Sequence, residues 1–147
     1  MLRGSEIATV DAKGRMKIPA RYRTYLESEY GISFYVTSID GAYARIYPLA
    51  VWEENEKRLS EMSTLSKPVN DFFDVTCYYG KEVEMDAQGR ILLPAELRRD
   101  ASINGEVKVL GKLFFLEVVN SKDLRDKVEK SRLTPEGMKE LSVQGIK

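Results

Sequence analysis

VDAKGRMKIPARYR, Val10–Arg23, returns 75 residues later as MDAQGRILLPAELR, Met85–Arg98. Asp, Ala, Gly, Arg, Pro, Ala and Arg stand at the same places in both copies. An internal repeat this regular makes the chain two copies of one structural unit. Each copy carries the same punctuation. A short strand (EIATV, then KEVEM) runs into D-A-x-G, where Asp can bond its own backbone and Gly accepts a positive φ. A second strand follows (RMKI, then RILL), and Pro-Ala then opens a helix, with proline expected at its first position.

Working outward, each copy closes with more strand. SFYVTSIDGAYARIYP holds the hairpin signal Asp40-Gly41, and GEVKVLGKLFFLEVV has Gly111-Lys112 at the corresponding place. Tyr22, Tyr25, Leu26 and Tyr30 share helical spacing and form the buried face of the first helix. LAVWEENEKRLSEMSTLS predicts a helix with Trp52, Leu59 and Met62 on one face, broken at Ser66-Lys67-Pro68. A further helix is expected over residues 121–132 with Leu124 and Val128 on one side, and a short one from Thr134-Pro135 that frays. The expected organisation is repeat 1 over residues 5–51, a connecting helix and linker over 52–79, repeat 2 over 80–123 and a helical tail over 124–147. Each repeat is too small to bury a core alone, so the two are expected to pack on each other.

The chain has 147 residues, 43% of them hydrophobic and 31% charged, as in a globular protein. No apolar run reaches membrane-spanning length, and the N-terminal stretch has no signal-peptide core. Cys77 is the only cysteine, which suits a reducing cytoplasm, and it reads as a small buried apolar residue. There is no histidine, which excludes His-assisted nucleophiles and His-based metal sites. The acids are scattered among cations. No enzyme, metal or cofactor is read from this sequence.

Lys and Arg balance Asp and Glu at 23 each, but unevenly. Residues 1–26 hold six cations against two acids, and residues 70–100 hold four against seven. Lys13, Arg15 and Lys17 alternate, so an extended backbone would project all three to one side and turn Met16 and Ile18 inward. Their spacing of about 7 Å approximates that of phosphates along a DNA strand. Arg15 has the chemistry for a bidentate contact to guanine. The second copy offers Gln88, Arg90 and Leu92 instead, beside Glu82, Glu84 and Asp86. The expectation is therefore a division of labour. Arg15, Lys13, Lys17 and Arg3 contact DNA, while Asp11, Gly14, Asp86, Gly89 and Arg90 build the hairpins, with Asp–Arg ion pairs inside the turns. Arg21 and Arg23 are left between pairing with Glu27 and facing solvent.

D-x-K-G-R-x-x-I-P followed by a helix and repeated as D-x-x-G-R-x-x-L-P resembles the MraZ family. MLRG at the start and IYPLAVWEE after the first repeat add to the resemblance, which runs to about Asp123. Where the family is arginine-rich before its second repeat, this chain reads VNDFFDVTCYYGK, and Val119 stands in place of a tryptophan. The resemblance implies a mainly β fold with short helices, two pseudo-symmetric AbrB-like swapped-hairpin repeats forming one compact β-barrel-like unit. It implies a transcriptional regulator on the nucleoid in the cytoplasm. Such a regulator binds double-stranded DNA at short direct repeats upstream of its own operon, a division and cell-wall cluster. It also implies a ring-like homo-oligomer, an octamer. The alternative is an oligomeric protein-interaction module without specific DNA binding, favoured by the neutral net charge and the acidic second repeat.

Overall fold

The structure is a computed structural model describing residues 1–147. Repeat 1 consists of β1 (Ser5–Val10), β2 (Arg15–Lys17), α1 (Ala20–Glu29), β3 (Ser33–Thr37) and β4 (Ala44–Pro48). Two helices follow, α2 (Leu49–Ser60) and α3 (Lys67–Tyr78). The second repeat repeats the order as β5 (Lys81–Glu84), β6 (Arg90–Leu92), α4 (Ala95–Asp100), β7 (Gly105–Gly111) and β8 (Leu116–Asn120). The tail forms α5 (Leu124–Lys130) and α6 (Pro135–Val143). No helix is long and apolar enough to cross a membrane.

The two repeats interlock. All eight strands join one antiparallel sheet in the order β5-β3-β4-β8-β7-β1-β2-β6. The first strand of each repeat pairs with the third strand of the other, β1 with β7 and β5 with β3. β2 pairs with β6, and β4 with β8, across the pseudo-twofold. The two outer strands, β5 and β6, are arms of one turn, and the Asp86 N–H donates to the Arg90 carbonyl at 2.9 Å, so the sheet nearly closes into a barrel. Strands of three and four residues cannot stand as isolated hairpins, and exchange gives β2, β5 and β6 each a partner from the other repeat. Near-closure also leaves little unpaired edge. The result is the mainly β, swapped-hairpin unit that the repeat predicts.

One core of 21 buried residues draws on both repeats. Met16 and Ile91, paired at the centre of β2–β6, are fully buried, as are Phe34, Val36, Ile46, Leu116 and Val118. α1 adds Tyr22 and Leu26, and α4 adds Leu97. Tyr25 and Tyr30 pack edge to face at the core's margin, with centroids 6.3 Å apart. Pro19, Pro48 and Pro94 sit at the cap position rather than inside the first turn. Their fixed φ near −55° with ψ near 140° turns the strand into the helix.

Several local expectations are corrected. Lys67-Pro68 does not merely end a helix, because with proline in its first turn it opens α3. Trp52 is buried and stacks on Tyr35 at 4.6 Å, but Met62 lies beyond α2 and is exposed. Cys77 is exposed. The buried place on α3 goes to Thr76, whose hydroxyl donates to the Phe72 carbonyl at 2.7 Å, and the next residue turns about 100° away from it. α5 buries no residue, and its anchor is not Val128 but Lys127, 3.9 Å from the centre of the Tyr43 ring and 3.4 Å from Glu117. The tail helix starts at Thr134-Pro135 as expected, but it does not fray after its start and runs on to Val143.

Candidate nucleic-acid interface

The β2–β6 ribbon places Arg15 opposite Leu92 and Lys17 opposite Arg90. Directly opposed residues share a face. With Met16 and Ile91 turned inward, Arg15, Lys17, Arg90 and Leu92 all point outward. Arg15 and Lys17 are about 7 Å apart along one strand, and Lys17 and Arg90 about 5 Å apart across strands. Three cations thus stand on one narrow two-stranded ribbon, and one of them comes from the second repeat.

The alternation Lys13-Arg15-Lys17 does not survive as a strand. Lys13 lies in the turn, followed by Gly14 at φ +84°, so the extended backbone begins only at Arg15. The Lys13 N–H donates to Asp11 Oδ1 at 3.0 Å, which leaves its side chain at the ribbon's end. Arg3 is exposed but lies before β1, eight residues from Asp11, on the order of 25 Å along an extended strand. It does not join the cluster.

Both turns carry the same ion pair. Arg15 Nε donates to Asp11 Oδ2 at 2.9 Å, and Arg90 Nε to Asp86 Oδ2 at 2.8 Å. The remaining oxygens, Asp11 Oδ1 and Asp86 Oδ1, accept the backbone N–H of Arg15 and of Arg90, each at 2.9 Å. Those backbone bonds, followed by the guanidinium beside each, hold both carboxyls below the ordinary aspartate range. Because the pair engages Nε, the terminal nitrogens of each arginine are left for a further partner.

Each turn is clasped by the other repeat. The Ile18 N–H donates to the Gly89 carbonyl at 2.8 Å, and the Leu93 N–H to the Gly14 carbonyl at 2.9 Å. The last arginine of each Pro-Ala-x-x-Arg reaches the opposite turn. Arg23 donates through Nη2 to the Ala87 carbonyl (3.1 Å) and through Nε to Glu27 (2.7 Å). Arg98 lies against Gly14 and donates through Nε to the Leu93 carbonyl at 2.9 Å. The glycines are required twice over, by positive φ and by an arginine where a Cβ would sit. The recurrence of arginine at the same helical place in both copies was the one signal of this role in the sequence. Arg21 has Glu96 as its counterpart and is committed elsewhere, to Glu6 at 3.1 Å and the Arg3 carbonyl at 2.9 Å.

Comparison with known proteins agrees with this architecture. A family profile described as "MraZ protein, putative antitoxin-like" matches residues 1–74 and 80–136, one match per repeat. A protein of Acidobacterium capsulatum named "Transcriptional regulator MraZ" is 40% identical over 146 residues, 99% of this chain and 100% of that protein. One of the same name from Koribacter versatilis is 41% identical over 147 residues, with 99% and 100% covered. Another, from Nitrosomonas europaea, is 39% identical over 111 residues, 76% of this chain and 75% of that protein. With both repeats matched and near-complete coverage of two relatives, the chain belongs to the MraZ family.

Proposed function

We propose that this protein is a sequence-specific DNA-binding transcriptional regulator whose β2–β6 ribbon enters the major groove of its operator. The observation that carries the reading is the placement of Arg15, Lys17 and Arg90 on the outward face of one two-stranded ribbon. A ribbon of this kind fits a groove about 12 Å wide. Arg15 reads a guanine through its terminal nitrogens, while Lys17, Lys13 and Arg90 neutralise phosphates. Arg3 meets the flanking backbone. The pairing thus softens the division of labour expected from the two copies. Arg90 keeps its structural ion pair and also stands beside Lys17. The names of the relatives and the chain's family support the regulatory role.

Three or four cations per chain bind DNA weakly, so several chains on successive direct repeats would act through effective concentration. This supports a homo-oligomer, and the family resemblance implies that it is ring-like, an octamer, acting in the cytoplasm on the nucleoid. Its site lies upstream of its own operon, in a division and cell-wall cluster.

The test is fluorescence anisotropy with the duplex upstream of the protein's own gene and a scrambled duplex, over a salt series. Arg15→Ala is expected to abolish discrimination between the two and leave assembly intact. Lys17→Ala and Arg90→Ala should each lower the slope of log K against log salt by about 0.9. Binding that ignores salt and sequence would instead favour the protein-interaction reading, for which the exposed acids Glu82, Glu84 and Asp86 speak.

A further inference from the structure

We infer that Leu92 reads the C5-methyl of a thymine in the base pair beside the guanine that Arg15 takes, a contact that rests on the ribbon entering the major groove as proposed above. No packing accounts for the place of this side chain. Leu92 is 41% exposed, while Ile91 and Leu93 on either side of it are fully buried. It belongs neither to the core nor to the partly buried apolar residues packed against the core. Single exposed apolar side chains are ordinary on a protein surface. This one stands on an otherwise cationic face, opposite Arg15, diagonal to Lys17 and two residues from Arg90. By the repeat, Arg90 holds the place of Arg15, and Leu92 holds the place of Lys17. Leu92 is thus the outward position of the ribbon at which the second repeat gives up a charge. A lysine there would hold a phosphate whatever the sequence, and a leucine cannot.

The backbone sets Leu92 and Arg15 side by side. The Leu93 N–H donates to the Gly14 carbonyl and the Ile18 N–H to the Gly89 carbonyl, so 14 with 93 and 18 with 89 are hydrogen-bonded pairs. Alternation along the antiparallel ladder makes Arg15–Leu92 a non-hydrogen-bonded pair, with Cα atoms about 4.5 Å apart and side chains at their closest. Successive nucleotides rise about 3.4 Å, so the two side chains address neighbouring base pairs.

The major groove offers an aliphatic side chain one apolar partner, the thymine methyl. The other groups that distinguish the bases there are hydrogen-bond donors and acceptors. Against those, Leu92 would displace water and return no hydrogen bond, which is unfavourable. Arg15, with Nε committed to Asp11 at 2.9 Å, has its terminal nitrogens left for guanine. The pair therefore reads two adjacent bases by two chemistries, hydrogen bonds from Arg15 and a methyl contact from Leu92.

The test is fluorescence anisotropy with the synthetic duplex upstream of the protein's own gene, its thymines exchanged singly for deoxyuridine. The exchange removes the methyl and keeps the base pair. Wild type is expected to bind about fourfold more weakly when a thymine adjoining the guanine is exchanged, the effect of one buried methyl group. Leu92→Ala should bind the thymine and uracil duplexes equally. Leu92→Lys, which copies the first repeat, should lose the same discrimination and steepen the slope of log K against log salt by about 0.9. Both variants change an exposed side chain and should fold and keep the wild-type mass, as circular dichroism and light scattering would verify. Equal wild-type affinity for every uracil duplex overturns the contact. So does a uracil penalty that persists in Leu92→Ala, since the duplex and not Leu92 then senses the methyl. A changed mass places Leu92 between chains and overturns it as well. A wild type indifferent to uracil but strengthened by 5-methylcytosine, which carries the same methyl, moves the contact to cytosine and overturns the thymine assignment. In each of these cases, discrimination against a scrambled duplex that Arg15→Ala still abolishes leaves the ribbon in place, and only the methyl contact falls.

Discussion

Gly14→Ala perturbs the point where a repeat motif, a backbone conformation and an inter-repeat clasp coincide. A left-handed conformation costs a non-glycine residue about 1–2 kcal/mol. The new Cβ would also lie 2.5 Å from Arg98 Nε and 2.7 Å from Nη2, so the guanidinium must leave. Its departure breaks the 2.9 Å bond from Arg98 Nε to the Leu93 carbonyl, and a hydrogen bond from a charged donor contributes about 1.5–3 kcal/mol. Together these give a loss of about 2.5–5 kcal/mol. Gly31 is the control, since its φ is +94° with nothing within 4 Å of the added carbon, and Gly31→Ala should cost only about 1–2 kcal/mol. Urea unfolding at fixed protomer concentration, followed by the single tryptophan Trp52, measures both. In an Arg98→Ala background the clash is gone, and Gly14→Ala should fall to about the Gly31→Ala value, a coupling of about 2 kcal/mol. Additive losses, or equal costs at Gly14 and Gly31, would refute the clasp.

Other outcomes follow from named contacts. Asp11 and Asp86 titrate lower in the folded chain than in the unfolded one, so their contribution is fully present above about pH 4 and is lost as pH falls through the folded values. Asp11→Asn/Asp86→Asn should flatten the acid limb of a circular-dichroism stability profile, and an unchanged limb contradicts the turn geometry. The Tyr79 hydroxyl donates to Asp100 Oδ2 at 2.6 Å, which pushes its pKa up to about 12. That contribution is present below about pH 10 and disappears between about pH 10 and 12. Tyr79→Phe should remove this alkaline loss, and a spectrophotometric phenol titration locates the group. Trp52→Ala empties the one buried place on α2, between Tyr35 and Tyr47, and should cost about 3–5 kcal/mol. Hydrogen exchange should show α2 losing protection first, and full protection there would refute the packing.

Local chemistry was legible in the residues themselves. Asp and Arg four apart, with Gly between, specify a turn and its ion pair, because every partner lies within one short loop. Pro-Ala marks both helix starts, and alternation marks Met16 and Ile91 as core, for the same reason of short range. The mainly β swapped-hairpin class followed from the duplicated motif and its family resemblance. The strand partners lay beyond spacing. With two repeats built on the same motif, β1 could meet the third strand of either copy, and only the joint packing of both selects β7. That choice sets Arg90 beside Lys17, lays Arg98 on Gly14, and turns three cations into one face. Lys13 failed as a strand residue because it lies in the Asp11–Arg15 turn, in which Gly14 takes φ +84°, and this breaks the extended alternation at its first step. Cys77 was misplaced because a helix not foreseen over residues 67–78 decides which of its residues point inward. The sequence alone determined what each hairpin is made of; the tertiary structure decided which hairpins meet, since burial of the shared core is satisfied only when the two copies are interlocked.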